Sequence, residues 1–399
     1  MIKILGTKFI FFGLVILAIL AAGCGASATA TPRPTIVSTP VPTEAVAGAP
    51  TATPRPTTVP TVVAAGSPTV TPNPTLVPAP TPTESAPTPE PPAAVAAPGI
   101  IDPTNLGWPR LVSTKRGIVE ITSQPQAVVT PSLGHSEMLV ALVDISRVAG
   151  IGRHSYNPDA SNIVAIADTI PDKTITRDVE RILLLDPDLV IVSSFAKAEF
   201  VEQLETIGIT VVQTQFEDTI SGIADNVRLM AYILGEVDRG EAIVEEVQRR
   251  VKFVEDTIGV VPDEDKPGVI MLGFLSKWTG GSTTSNEDII NRAGGVNLPG
   301  LEFEGFQEIG VEGIVAMNPK VMILSADEVR ENDAMNVLLD NPALLLVDAI
   351  NNQQVYGVDR KYLYNLSHWR VRGVEEVAKI LWPDRFAGVE FPDFQAGSP

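Results

Sequence analysis

Three histidines, five tyrosines and four tryptophans are the side chains with which this 399-residue chain can grip a planar or metal-containing molecule, and they are not scattered evenly. His154 stands between Arg153 and Tyr156, Trp278 follows Lys277, and His368 is surrounded by Tyr362, Tyr364, Trp369 and Arg370, while His135 follows a short apolar run. Imidazole nitrogen and phenol oxygen ligate metals, and flat aromatic faces suit a macrocycle or a catechol. Arg153, Lys277, Arg360, Lys361, Arg370 and Arg372 add positive charge to the same stretches, which favours an anionic ligand such as a propionate-bearing ring or an oxyanion. The competing reading is that some of these rings pack the fold and some of these cations pair with nearby acids.

Catalytic patterns are missing from the sequence: no nucleophile elbow, phosphate-binding loop, HExxH helix or dinucleotide fingerprint occurs, and Gly280-Gly281-Ser282 and Gly294-Gly295 are isolated turn signals. The expectation is a binding protein without enzymatic activity or a resident cofactor. The alternative from another class is a tethered metallohydrolase using His135, His154 and His368. One cysteine excludes an intramolecular disulfide and a Cys-based zinc cluster.

The elements that must position these residues alternate. A hairpin-like start at Leu111–Ile121 precedes a strand at Ala127–Thr130, a helix over Ser136–Val143, a strand at Val148–Ile151 and a loop at Gly152–Pro158. A helix at Val179–Leu185, a strand at Leu189–Val192, a helix over Phe195–Ile207 and a strand at Thr210–Val212 follow. A long charged helical stretch runs from Thr219 to Ile258, interrupted at Gly235 and Gly240. The alternation then restarts with Val269–Leu272, a helix from Asn286 to Ala293 capped by Ser285, and further units at Val311–Met317, Val321–Leu324, Val355–Val358 and Val371–Leu381. Such alternation predicts α/β architecture: two three-layer α/β/α lobes, residues 100–218 and 261–399, joined by a long helix at 219–260, with a ligand cleft between them at the carboxyl ends of the strands.

The lobes share an internal repeat. Val179-Glu180-Arg181-Ile182 leads to Pro187 and an apolar strand, and Val311-Glu312-Gly313-Ile314 leads to Pro319 and another, offset by 132 residues. Glu180 and Glu312 thus fall in the first turns of equivalent helices, where the helix dipole stabilises a carboxylate. First-turn glutamates commonly do no more than that.

Ahead of the lobes, Lys3 and Lys8 precede an apolar run from Phe9 to Leu20, and Ala21-Ala22-Gly23 leads into Cys24. Twelve apolar residues are too few for a membrane-spanning helix and read as an export signal over residues 1–23. The ending resembles a bacterial lipobox, with Cys24 as the lipidated residue, although Ala21 stands where Leu is usual. Residues 24–99 form a tether: 19 of the 34 prolines and 16 threonines lie between Ala26 and Gly99, with no Phe, Tyr or Trp, and such a composition cannot form a core. The whole chain carries a formal charge of -19, and the segments before residue 100 contribute almost none of it. An acidic body argues against nucleic-acid binding.

Taken in order, Pro131-Ser132 with Glu137-Met138-Leu139, Val179 to Ile191, Leu204 to Val212, Asp288 to Asn297, and Val355-Tyr356 through Arg372-Gly373 resemble the substrate-binding lipoproteins of ABC importers for cobalamin, ferric siderophores and haem. The resemblance covers roughly residues 110–386. It implies an extracytoplasmic, lipid-anchored monomer that captures a metal chelate between its lobes and docks on ABC permease subunits through Glu180 and Glu312. The binding candidates in the predicted cleft loops are His135, Arg153, His154, Tyr156, Trp278, Tyr362, Tyr364, His368, Trp369 and Arg370. A free metal ion or a molybdate-type oxyanion is the alternative ligand.

Overall fold

The computed structural model describes residues 96–170, 178–215, 217, 219–273, 277–331, 338 and 340–394. The export signal, Cys24 and the tether up to residue 95 lie outside the described residues. Among the described residues no helix is long and apolar enough to cross a membrane.

The first lobe opens with an antiparallel hairpin of β1 (Arg110–Thr114) and β2 (Gly117–Ile121). It continues through β3 (Val128–Thr130), α1 (Leu133–Leu142), β4 (Val148–Ile151), α2 (Val164–Ala167), α3 (Val179–Leu183), β5 (Leu189–Ser193), α4 (Ala198–Thr206) and β6 (Thr210–Thr214). These strands form a parallel sheet in the order β4-β3-β5-β6. Because strand side chains alternate in direction, Val128, Leu189, Ile191 and Val212 enter one core, and Val129, Val190, Val192 and Val211 enter another on the opposite face. Two buried faces explain the nearly continuous apolar runs. Asp188 pins the start of β3 to the start of β5 by accepting from the backbone N–H groups of Gln126 and Ala127.

The long charged stretch divides into α5 (Ile220–Leu234) and α6 (Val237–Ile258). Gly235, at φ 79°, ends α5 in the left-handed conformation that glycine adopts without steric cost. Gly240 is not a break. It lies inside α6, where a Cβ would come within 2.3 Å of Ala231 Cβ on α5, so the glycine marks a close helix crossing. α6 joins the two bodies: Val244 packs into the first lobe's core, and Val247, Val251, Val254 and Ile258 pack into the second's. At 1.5 Å per residue its 22 residues extend about 33 Å.

The second lobe comprises β7 (Gly268–Gly273), β8 (Trp278–Gly280), α7 (Ser285–Arg292), β9 (Val296–Asn297), β10 (Phe306–Glu308), α8 (Val311–Met317), β11 (Val321–Ser325) and α9 (Ala326–Glu331). It ends with α10 (Asp348–Asn351), β12 (Val355–Val358), α11 (Arg360–Leu363) and α12 (Val371–Leu381). Its sheet runs β10-β8-β7-β11-β12, with β9 beside β7. β7, β11 and β12 are parallel, whereas β8 and β10 extend the sheet in antiparallel fashion, an addition that strands of three residues do not announce in sequence. Met271, Val321 and Ile323 face one core and Ile270, Met322 and Leu324 the other, so this lobe too has three layers.

The 132-residue repeat is structural. β5 and β11 span equivalent residues, and each is preceded by a left-handed residue before proline, Asp186 at φ 46° and Asn318 at φ 43°. Three local expectations shift. The helix after β3 begins at Leu133, the helix after β5 begins only at Ala198, and α7 is capped by Thr284, not Ser285, with Thr284 Oγ1 accepting from Glu287 N–H.

Candidate functional site

Where the carboxyl ends of the two sheets face each other, two adjoining cavities of about 360 and 340 Å³ share Arg360 and Tyr364. One is walled by the first lobe: Ser132, Leu133 and Gly134 at the start of α1, His154, and Ser193 and Phe195 just past β5. The other is walled by the second lobe: Trp278 on β8, Phe306 on β10, Asn286 on α7, and Ser325, Asp327 and Glu328 at the junction of β11 and α9. Ser193 and Ser325 are repeat equivalents, so the same strand end contributes a hydroxyl to each wall. Phe195, Trp278, Phe306 and Tyr364 are 75%, 45%, 46% and 41% exposed. Four uncovered aromatic side chains around one concavity form the kind of surface that a ligand covers.

The floor of the cleft is closed by contact between lobes. A Cβ on Gly134 would lie 2.9 Å from Leu366 O, so glycine permits the approach of the 364–367 loop. Three residues on, Glu137 is fully buried. Its carboxylate accepts from Asn162 N–H at 2.8 Å and Asn162 Nδ2 at 3.1 Å, and Ser367 Oγ of the second lobe hydrogen-bonds its other oxygen. Burial pushes the acid up to about 7, against these hydrogen bonds, which favour the charged form. Tyr364 is held at about 12, first by burial and then by the Glu328 carboxylate, with Arg360 opposing, so its phenol is protonated at neutral pH.

The sequence candidates divide. His154, Trp278 and Tyr364 stand on the cavity walls. Arg153 is exposed beside His154, and Tyr156 is half-buried against the first lobe's core. His135 is instead inside α1 and fully buried, with Nε2 2.7 Å from Thr214 Oγ1 and Nδ1 against Ser132 Oγ; burial lowers it to about 3. His368, Trp369 and Arg370 are also buried: the His368 ring sits 4.8 Å from Phe394, and Arg370 Nε donates to Asn365 O. Tyr362 lines a separate cavity with Arg372 and Glu376. The three imidazoles do not converge, and among the described residues no three His, Cys, Asp or Glu side chains group around a metal-ion position.

The described lining of the two cavities is not basic. Arg372 is bound to Glu375 and Glu376, Lys361 lies over Tyr362, and among the described residues that line these two cavities Arg360 is the one cation of the six, 3.5 Å from Asp327. Asp327 and Glu328 share its wall, so that side is acidic. Phe195, Asn286, Phe306 and both serines escape sequence reasoning because nothing local distinguishes them; the repeat linking Ser193 to Ser325 is the available signal.

Glu180 and Glu312 are exposed in the first turns of α3 and α8, and among the described residues neither carboxylate is in an ion pair. Beside Glu180, at the i+3 and i+4 positions of the same helix face, Leu183 and Leu184 are also exposed.

The model of the periplasmic binding protein family matches residues 128–362. The cobalamin-binding protein of Halobacterium salinarum is 26% identical over 256 residues, 63% of this chain; this chain spans 66% of that protein. The molybdate-binding protein MolA of Haemophilus influenzae is 21% identical over 278 residues, 63% of this chain and 78% of that protein. The structure of MolA bound to molybdate superposes with a TM-score of 0.60 at 19% identity, covering 70% of this chain and 94% of that one. The periplasmic haem-binding protein RhuT from Roseiflexus sp. RS-1, in apo form, gives 0.55 at 20% identity, covering 65% and 99%. At these identities the superpositions speak for the fold.

Proposed function

The chain belongs to the periplasmic binding protein family, and from that premise we propose that it is the substrate-binding lipoprotein of an ABC importer, anchored outside the cytoplasm through Cys24 and carrying a metal chelate in its interlobe cleft. The observation that carries the reading is the cleft itself: aromatic faces from both lobes around one concavity. No chemical step is assigned to it. His154 and Tyr364 lie on the cavity walls, where an imidazole nitrogen or phenol oxygen can reach a bound chelate.

Delivery is assigned to Glu180 and Glu312. Exposed carboxylates with no ion pair among the described residues, one on each lobe at equivalent helix starts, suit charge-assisted pairing with arginines on the two subunits of a permease. The exposed leucine pair beside Glu180 adds an apolar flank to that surface. The test is reversal of both charges, Glu180→Arg with Glu312→Arg, in cells that depend on the imported nutrient. Uptake is expected to fall to background while cleft affinity, measured on purified protein, stays within twofold. Undiminished uptake refutes the docking assignment.

A further inference from the structure

Among the described residues, the second lobe's wall of the cleft holds two hydrogen-bond acceptors with no donor. Asn286 is 2% exposed and lines the cavity; its Nδ2 donates to Met271 O at 3.3 Å, and its Oδ1 has no partner. The orientation of this amide follows from that bond, since flipping it would set two oxygens against each other. Asp327 lines the same cavity, and its Oδ1 is likewise buried and without a partner, while Oδ2 faces Arg360. Both orphan atoms are oxygens. Buried acceptors are unfavourable until a donor reaches them, and two on one wall describe the missing partner. Asp327 already faces the Arg360 guanidinium, so the unpartnered oxygens on this wall offer an acceptor-only anion no donor to bind.

Resting on the reading of the cleft as a chelate site, we infer that the ligand presents N–H donors to Asn286 and Asp327 from a flat, uncharged edge, which is the chemistry of a corrinoid decorated with primary amides. A porphyrin whose polar edge consists of propionates, or an oxyanion such as molybdate, has only acceptors to offer this wall. The aromatic surfaces of Trp278 and Phe306 then cover the ring while the two oxygens read its amide fringe.

The test is calorimetric titration of the full-length chain with four probes: dicyanocobinamide, dicyanocobyrinate (the same ring with carboxylates in place of amides), hemin and molybdate. Dicyanocobinamide is expected to bind about tenfold or more tighter than dicyanocobyrinate, and tighter than hemin or molybdate. Asn286→Leu is expected to reduce cobinamide affinity by about tenfold while leaving cobyrinate affinity nearly unchanged. Should that variant fail to fold, the amide-to-acid comparison on the unaltered chain carries the test alone. Equal or tighter binding of cobyrinate, hemin or molybdate overturns the donor assignment but leaves chelate binding standing. Binding of molybdate alone overturns the chelate reading and this inference with it, and binding of none of the four overturns this inference.

Discussion

Replacing Glu137 with glutamine isolates a buried carboxyl that ties the lobes together beneath the cleft. Burial raises its pKa from 4.5 to about 7, so the folded chain binds a proton that the unfolded chain has released. The sign follows from linkage: between pH 4.5 and 7 the folded state carries more protons, and stability therefore falls as pH rises through that window. A shift of this size corresponds to about 3 kcal/mol, accumulated at ~1.4 kcal/mol per pH unit. Glutamine reproduces the protonated acid, since its oxygen can keep the donors of Asn162 and its Nε2 can donate to Ser367 Oγ. Other groups titrate in the same range. His135 and His368, both lowered to about 3 by burial, make the fold less stable as pH falls below 6.5, but they do so equally in both proteins. The quantity to measure is thus the difference in urea unfolding free energy between Glu137→Gln and the unaltered chain, from pH 4 to pH 8.5. It is expected to rise by about 3 kcal/mol in favour of glutamine and then level off above pH 7. A difference that stays flat, or that falls with pH, refutes the buried-acid argument. Glu137→Leu serves as the contrast: it strands the Asn162 N–H and the Ser367 hydroxyl and should destabilise at every pH by about 1–3 kcal/mol for each orphaned group.

Two further outcomes follow from the helical junction. Arg250 on α6 and Glu375 on α12 form a bidentate pair at 2.6 and 2.7 Å, with side chains 3% and 0% exposed; Arg250→Met is expected to cost about 3–5 kcal/mol in urea unfolding, and Arg250→Met with Glu375→Leu to recover most of it. Gly240→Ala should destabilise by about 1–3 kcal/mol despite alanine's higher helix propensity, because its methyl meets Ala231, and adding Ala231→Gly should restore thermal stability; no rescue would mean that the crossing is looser than 2.3 Å implies.

The parts of this fold that are legible in sequence are those where one local pattern has one physical cause. Leu189–Ser193 and Val321–Ser325 read as strands because burial on both faces demands unbroken apolar residues, and their 132-residue spacing marks the duplicated unit in the chain itself. Gly240 misleads because glycine within a helical pattern signals either a break or a close approach, and only the partner helix decides which. The histidines fail for a similar reason. His135 and His368 look like loop ligands beside polar and aromatic neighbours, but Thr214, 79 residues downstream of the first, and Phe394, packed against the second, place them inside. Charge misleads as well: Arg370 and Arg372 carry the same formal charge as Arg360, and only tertiary contacts show that the first two are spent on Asn365 O and on Glu375 and Glu376.

What duplication kept and what it let drift have different uses. On the outside the two lobes remain alike: equivalent helices start with Glu180 and Glu312, and equivalent left-handed residues precede the prolines at 187 and 319. A partner built of two related subunits can meet such a surface twice with the same chemistry. Inside the cleft the equivalence stops at Ser193 and Ser325. Beyond them the first lobe offers His154 and Phe195, and the second offers Trp278, Phe306 and, on Asn286 and Asp327, two unsatisfied oxygens. A ligand with two equal faces would gain nothing from walls that differ this much, whereas one with a metal-binding face and an amide fringe has a separate partner on each side. Because the apolar face of α6 is shared between both cores, moving one wall to compensate for a poor match would disturb packing in both lobes, which leaves discrimination to the placement of Asn286 and Asp327 themselves.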